Sequence, residues 1–298
     1  MAGFRVTLLG TGTPIPVPER FGPSTLIEAG DHTILIDAGR GATIRMFQLG
    51  IPIGRIDALL LTHFHSDHTI GIPDLWLTGW LSSYFGARQR PFHVIGPVGT
   101  QDLTQHLQAA YARDIEIRVE DEKFAREHAA ITVKEFAEDG PVYESGDLRV
   151  IAFTVDHGAA IKPAYGYRIE YQGRVAVVSG DTRYNANVVH YGRGADLLIH
   201  EVAMARPELL KAPHIQRIVN HHTSPQEAGL VFTRTKAKLA AFTHLVMLAS
   251  ESVGAPSVEE LIAATRETYA GPLEVGEDLM RFEISDVITV RRPAPAAS

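Results

Sequence analysis

Thr62-His63-Phe64-His65-Ser66-Asp67-His68 packs three imidazoles and a carboxylate into seven residues directly behind the apolar run Ile56–Leu61. An apolar run that short suits a buried strand. The cluster therefore sits at a strand end, borne by a loop but anchored by a sheet. Imidazole and carboxylate are what borderline divalent cations take where no thiolate is offered, and this chain has no cysteine. With the loop extended, His63 and His65 point together, while Asp67 and His68 fall on the following turn and face a different point. One short loop then serves two metals rather than crowding one. The plain alternative, a polar surface loop with incidental histidines, leaves the preceding buried strand as coincidence.

Working outward, more candidates stand at strand ends. His157 follows the strand-like Arg149–Val155, Asp181 follows Arg174–Val178 in Ser179-Gly180-Asp181-Thr182, and His244 lies in Phe242-Thr243-His244-Leu245. A lone histidine at a strand end is more often structural than a ligand. Together these groups converge on one rim, where the Asp181 carboxylate can bridge two cations.

The rest of the chain is consistent with an ordinary folded protein. Of 298 residues 45% are hydrophobic and 21% charged, with a net charge of -7, which excludes disorder as the main state. Lack of cysteine excludes disulfides, iron–sulfur clusters and a cysteine nucleophile. No apolar run approaches the roughly 18 residues of a membrane span, and no leader precedes Phe4–Leu9, so a cytoplasmic protein is expected. Phe4–Leu9, Ser24–Glu28 and His32–Asp37 read as strands, with Ile131–Phe153 as strands of a second sheet. Tyr165–Tyr171 and Arg174–Ser179 read as a hairpin, and Asp196–His200 and Ala240–Thr243 as later strands. Ala42–Leu49, Ile72–Phe85, Gly99–Tyr111, Ser224 to Thr233 and Ser257–Tyr269 read as helices. The pattern, repeated in two halves, predicts an α+β fold: two mixed sheets between outer helices. One domain over 1–298 is expected, with 291–298 as a frayed tail.

The histidine loop resembles the signature of the metallo-β-lactamase superfamily, and the resemblance covers nearly the whole chain. Gly10-Thr11-Gly12-Thr13-Pro14, Ser179-Gly180-Asp181-Thr182, His200-Glu201-Val202-Ala203 and His222-Thr223-Ser224-Pro225 are similar to motifs of its ribonuclease Z branch. Gly71–Trp80 is more similar to the arylsulfatases of that branch. The resemblance implies the four-layer αβ/βα sandwich. It also implies two Zn2+ per chain (Mn2+ or Fe2+ as substitutes): His63, His65 and His157 on one, Asp67, His68 and His244 on the other, and Asp181 bridging. A water or hydroxide between two such ions is a nucleophile at neutral pH. Asp67 then orients or deprotonates it, and Glu201 with His222 resembles the pair that protonates the leaving oxygen. His221 competes with His222 for that role, Glu201 has a bland alternative as a cap near the Ser224 helix, and His200 is expected to support the site loop. Trp76, Trp80, Tyr84 and Phe85 read as core or interface, with Trp76 or Phe64 as a ring contact for substrate.

Ribonuclease Z proteins commonly carry a long basic arm between the equivalents of His157 and Gly180-Asp181. Here little more than one hairpin intervenes, and the chain is net acidic, whereas duplex-RNA binders usually cluster Lys and Arg. The leading expectation is therefore hydrolysis of small phosphate or sulfate esters, aryl esters above all, with transfer-RNA 3′ processing as the alternative and RNA not favoured as a partner. Lactone, β-lactam and phosphotriester hydrolysis remain open because the same chemistry attacks other centres. A non-catalytic metal module and a mononuclear iron oxygenase are disfavoured by the full set of seven ligands. The family implies a homodimer, with Trp76–Phe85 as a candidate apolar patch.

Overall fold

The structure, a computed structural model, describes residues 3–293. The strands in chain order are β1 (Phe4–Gly10), β2 (Ser24–Ala29), β3 (His32–Ile36), β4 (Ala58–Leu60), β5 (Phe92–Pro97), β6 (Ile131–Phe136), β7 (Gly140–Ser145), β8 (Leu148–Thr154), β9 (Tyr165–Tyr171), β10 (Arg174–Val178), β11 (Leu197–Ala205), β12 (Leu239–Leu248), β13 (Leu273–Val275), β14 (Arg281–Ile284) and β15 (Ile288–Arg291). They form two sheets, ordered β15-β14-β1-β2-β3-β4-β5-β6 and β13-β12-β11-β10-β9-β8-β7. Each is antiparallel on one side and parallel on the other, the parallel parts being β3–β6 and β10–β13.

Strand faces sort the apolar residues. Val6, Leu8, Ile27 and Ile34 from the first sheet meet Val150, Tyr167, Ile169 and Ile199 from the second in one buried core. The opposite faces are covered by helices: α1 (Ala42–Gln48), α2 (Ser66–Thr69), α3 (Ile72–Trp80), α4 (Thr100–Ala110) and α5 (Ala112–Asp121) in the first half, and α6 (Ala186–Gly192), α7 (Pro213–Val219), α8 (Pro225–Thr235) and α9 (Val258–Arg266) in the second. Trp76 anchors the outer layer of the first sheet, Phe232 that of the second. Because β4 is covered on both sides, all three of its residues are buried, as parallel strands between layers require. The result is the expected four-layer sandwich.

Several boundaries differ from the sequence reading. β6 closes the edge of the first sheet, pairing in parallel with β5, so only β7 and β8 of the 131–153 stretch join the second. α3 stops at Trp80, where Leu81 turns to ψ 140°. α5, set off from α4 at Tyr111, has one buried residue, Ile115, too faint an apolar stripe to read from sequence. Of the tail expected over 291–298, Arg291 ends β15 and Arg292 pairs with Glu274 and Glu277, while 294–298 lie outside the described residues. Trp76 and Trp80 are buried, so neither offers a dimer patch, and Trp76, donating its indole N–H to the Ala129 carbonyl, touches no substrate. Among the described residues no helix is long and apolar enough to cross a membrane.

Candidate metal centre

The carboxyl ends of β3, β4, β8 and β10 share one edge of the sandwich, and the loops leaving them carry Asp37, His63–His68, His157 and Asp181. Open parallel sheets place ligands at such ends. His63 and His65 flank the extended entry to α2, and one turn later Asp67 and His68 face inward, buried. At Gly180, φ is +62° and a Cβ would lie 2.3 Å from the Tyr165 carbonyl oxygen. Only glycine makes that turn, which brings Asp181 under the histidines. His244 arrives by another device. Glu201 pairs with Thr243 and Val202 with Leu245, leaving His244 as an extra residue in β12 at φ +44°. A bulge of this kind re-aims a side chain and is commonly held at functional sites.

Two overlapping sets of ligand atoms result. His63 Nε2 and His157 Nε2 lie 3.0 and 3.2 Å from His65 Nδ1, and Asp181 Oδ2 lies 3.9 and 3.6 Å from the first two. On the other side Asp181 Oδ2 is 3.3 Å from both His68 Nε2 and His244 Nε2. Asp67 Oδ2 is 3.7 and 3.3 Å from the same two nitrogens. Donors about 2.0–2.1 Å from a tetrahedral zinc stand roughly 3.3 Å apart, so both sets have the spacing of a metal shell. His68 Nε2, buried and without a hydrogen-bond partner, is aimed into the gap between the two carboxylates. The residues fit a pair of divalent cations, and the His/Asp clusters are consistent with a metal site.

The electrostatics agree with ligation. Burial pushes His63 well below its usual pKa, lowers His65, and pushes His157 down to about 4, so all three keep the lone pairs a cation needs. Burial also opposes a charge on His68, but Asp181 and Asp37 outweigh it and hold its pKa well above 6.5. A proton there and a cation compete for the same place. Burial opposes ionisation of Asp181 too, yet His244 and His68 keep it well below the usual carboxylate range.

Second nitrogens are fixed as well. His157 Nδ1 donates to the His221 carbonyl at 2.8 Å, and His63 Nδ1 lies 3.0 Å from the Thr62 hydroxyl. His68 Nδ1 lies 2.7 Å from Asp37 Oδ2. Asp37, which the sequence reading missed, also accepts from the Thr62 N–H and hydroxyl at 2.8 and 2.7 Å. It thus orients His68 directly and His63 through Thr62. Its one signal in the sequence is an acid closing the apolar strand His32–Ile36, ahead of Ala38-Gly39.

Beside the ligand sets, the Glu201 and His222 side chains meet at 3.1 Å. Glu201 is buried and its other oxygen accepts from the Thr223 and Thr182 N–H groups. It does not cap α8, which has a capping box of its own between Ser224 and Glu227. Burial opposes protonation of His222, but Glu201, through charge and hydrogen bond, and Asp181 raise its pKa to about 9. His221, the competing histidine, supplies a carbonyl to His157 and packs its ring on Gly158. His200 points to the opposite face of β11, its ring edge-on to Phe232 and its Nδ1 donating to the Glu201 carbonyl, so it touches Glu201 only through the backbone. A cleft of about 350 Å³ opens over the cluster, walled by Pro14, Ile15, Ile218, Val246 and Leu248. That apolar wall was not legible in the sequence, and Phe64, half-exposed against Gly99, is not part of it.

The Beta-lactamase superfamily domain model matches residues 32–245, spanning all seven ligand candidates. A protein named Ribonuclease Z from Mycolicibacterium paratuberculosis (strain ATCC BAA-968 / K-10) is 35% identical over 282 residues, 94% of this chain and 98% of that protein. The chain belongs to the metallo-β-lactamase superfamily, in its ribonuclease Z-like branch. Solved structures agree on the metallo-β-lactamase fold. The fold protein YhfI from Bacillus subtilis superposes with a TM-score of 0.72 at 20% identity, covering 94% of this chain and 99% of YhfI. The short form of human tRNase Z superposes with a TM-score of 0.68 at 23% identity, covering 94% and 99%. The protein is thus a metallo-hydrolase of this superfamily, with its His/Asp clusters where the strand ends converge.

Proposed function

We propose that this metallo-β-lactamase-fold protein is a dizinc phosphodiesterase that trims the 3′ end of precursor transfer RNA. The observation that carries the reading is the Glu201–His222 pair at 3.1 Å beside the two ligand sets. A ribose oxygen is a poor leaving group and needs a proton as it departs, whereas an activated aryl oxygen does not. His222, with Nδ1 held by Glu201 and its pKa raised to about 9, carries that proton at neutral pH and delivers it from the other ring nitrogen. His63, His65 and His157 would hold one zinc and Asp67, His68 and His244 the other, with Asp181 on both. Bound cations would bring the pKa of a shared water toward neutrality and polarise the phosphoryl oxygen. Asp67, kept ionised by His244 and His68 despite burial, accepts a proton from the attacking water.

The relatives weigh toward this reading over the small-ester one first drawn from the missing arm. The arm is indeed absent: the Gly158–Ala164 loop, β9 and β10 are all that separate His157 from Asp181. Yet 282 aligned residues cover 98% of the mycobacterial relative named Ribonuclease Z, which leaves that relative no room for a long arm either. Its absence therefore does not argue against RNA. The test is turnover by the zinc-loaded protein on precursor transfer RNA with a 3′ trailer, beside an aryl phosphodiester, an aryl sulfate, a lactone and a β-lactam. A single endonucleolytic cut at the 3′ end is expected. Fast turnover of aryl sulfate or phosphodiester with the RNA left intact would return the assignment to small esters.

A further inference from the structure

With no arm, a phosphodiesterase acting on RNA needs another place to hold the phosphate chain. Between Ala205 and Thr223 the polypeptide leaves β11, makes a short 3-10 turn at Leu209–Lys211, forms α7 and returns to the site. Its inner side is apolar: Leu209 and Ile215 pack with Ala203, Val246 and Leu248 in a small cluster of their own. That packing fixes α7 against the distal ends of β11 and β12, beside the cleft, into which Ile218 projects. Its outer side is cationic. Residues 206–222 carry Arg206, Lys211 and Arg217 against the single acid Glu208, in a chain with seven more acids than bases. Arg206 is engaged by Glu260, but Lys211 and Arg217 are exposed and have no ion-pair partner among the described residues.

Spacing gives this side a direction. Positions 214 and 218 fall on one helical stripe of α7, so exposed His214 and cleft-lining Ile218 share a side, and cleft-lining His221 follows just past the end of the helix. Arg217 flanks the stripe and Lys211 stands beyond its outer end, at the turn before α7. Elsewhere at the cleft, exposed Arg40 donates to the carbonyl of Pro14, a wall residue. The only acids among the residues lining the cleft are Asp67 and Asp181 of the ligand sets. A strand of phosphates leaving the scissile position along α7 therefore passes toward Arg217 and Lys211 in an otherwise acidic protein.

We propose that the 206–222 excursion is the RNA-gripping element of this protein, with Lys211 and Arg217 pairing the backbone phosphates next to the scissile bond. The proposal rests on the phosphodiesterase reading above for its substrate, but not for its test. Binding of a fluorescein-labelled single-stranded oligoribonucleotide is followed by anisotropy across 50–200 mM salt, for the wild type, K211A/R217A and K211R/R217K. Each lost contact to a single strand removes about 0.7 from the slope of log K against log salt. K211A/R217A should therefore flatten the slope by about 1.4 and weaken binding roughly tenfold. K211R/R217K should bind as the wild type does. Both positions are exposed, so the thermal midpoint and kcat/KM on a small aryl phosphodiester should not move.

An unchanged slope and affinity in K211A/R217A would overturn the proposal, as would a wild type that does not bind the RNA. So would an equal loss on the small ester, which would place the two residues in the site's architecture instead. A wild type that binds the RNA with the expected slope but leaves precursor transfer RNA intact would sink the processing reading and keep the surface. Accurate processing with a variant that grips RNA normally would do the reverse.

Discussion

Asp37→Asn is a severe test of how the metal centre is organised, because it changes almost nothing in shape. The Asp37 side chain is buried and accepts three hydrogen bonds, from the Thr62 N–H on Oδ1 and from the Thr62 hydroxyl and His68 Nδ1 on Oδ2. Asparagine has one oxygen. If its amide nitrogen replaces Oδ1, it faces the Thr62 N–H, donor against donor. If it replaces Oδ2, the Thr62 hydroxyl can rotate, but His68 must give up its Nδ1 proton and keep its one proton on Nε2, the nitrogen aimed into the ligand set. Either way a buried donor is orphaned or a ligand lone pair is lost. One orphaned buried donor costs about 1–3 kcal/mol, and a lost bond to a charged acceptor is of the same order. A fall in stability on the order of 3 kcal/mol is expected for the metal-free protein. Removing such a partner typically costs 10–100-fold in metal affinity, and the loss should fall on the His68 position first. A smaller loss is expected at the other position, because Thr62 also holds His63 Nδ1 at 3.0 Å. Competition titration with a chromogenic chelator resolves the two affinities, and thermal unfolding in chelator reads the stability. Both affinities within twofold of wild type would refute the reasoning.

His222→Ala should cut kcat/KM by about 10²–10⁴ on RNA or alkyl phosphodiesters and much less on activated aryl esters; equal losses on both classes would mean His222 only positions substrate. Glu201→Gln removes the charge that raises His222, so the alkaline limb of the rate profile should move to lower pH, and an unmoved limb would detach His222 from it. His157, pushed from 6.5 down to about 4 by burial, is neutral in the fold and protonates first in the unfolded chain. Its contribution is therefore present above pH 6.5 and lost as pH falls toward 4, roughly 3 kcal/mol in the metal-free protein at about 1.4 kcal/mol per unit. Denaturant titrations from pH 7 to 4 should show that loss in the wild type and a shallower one in His157→Asn; parallel curves would contradict it. His65→Ala should abolish hydrolysis and lower the metal content measured by mass spectrometry, and wild-type turnover by this variant would remove the ligand assignment.

The loop 62–68 was legible because strand end and ligand type coincide in seven consecutive residues, and a cation's preference for imidazole and carboxylate needs no tertiary information to state. His157 and Asp181 were legible for the same reason at their own strand ends. Asp37 was not, since nothing beside it in sequence is polar, and its three partners lie 25 and 31 residues downstream. Ile131–Phe136 was assigned to the wrong sheet because a six-residue strand carries no mark of the edge it will join. Ile15, Ile218 and Leu248 look like scattered apolar residues until the two halves of the sandwich close and make them one wall.

By itself the sequence determined the alternation of strands and helices, the absence of thiolate chemistry, and which side chains are able to hold a metal. These are local properties, set by side-chain type and by the period of apolar residues. The tertiary structure alone decided that Asp181 Oδ2 stands within 3.9 Å of four imidazole nitrogens. It alone decided that a bulge at φ +44° turns His244 inward and that Glu201 reaches His222 rather than the cap of α8. Such distances depend on the packing of two sheets against each other, and ångström-scale convergence of groups up to 181 residues apart is fixed only when that packing is complete.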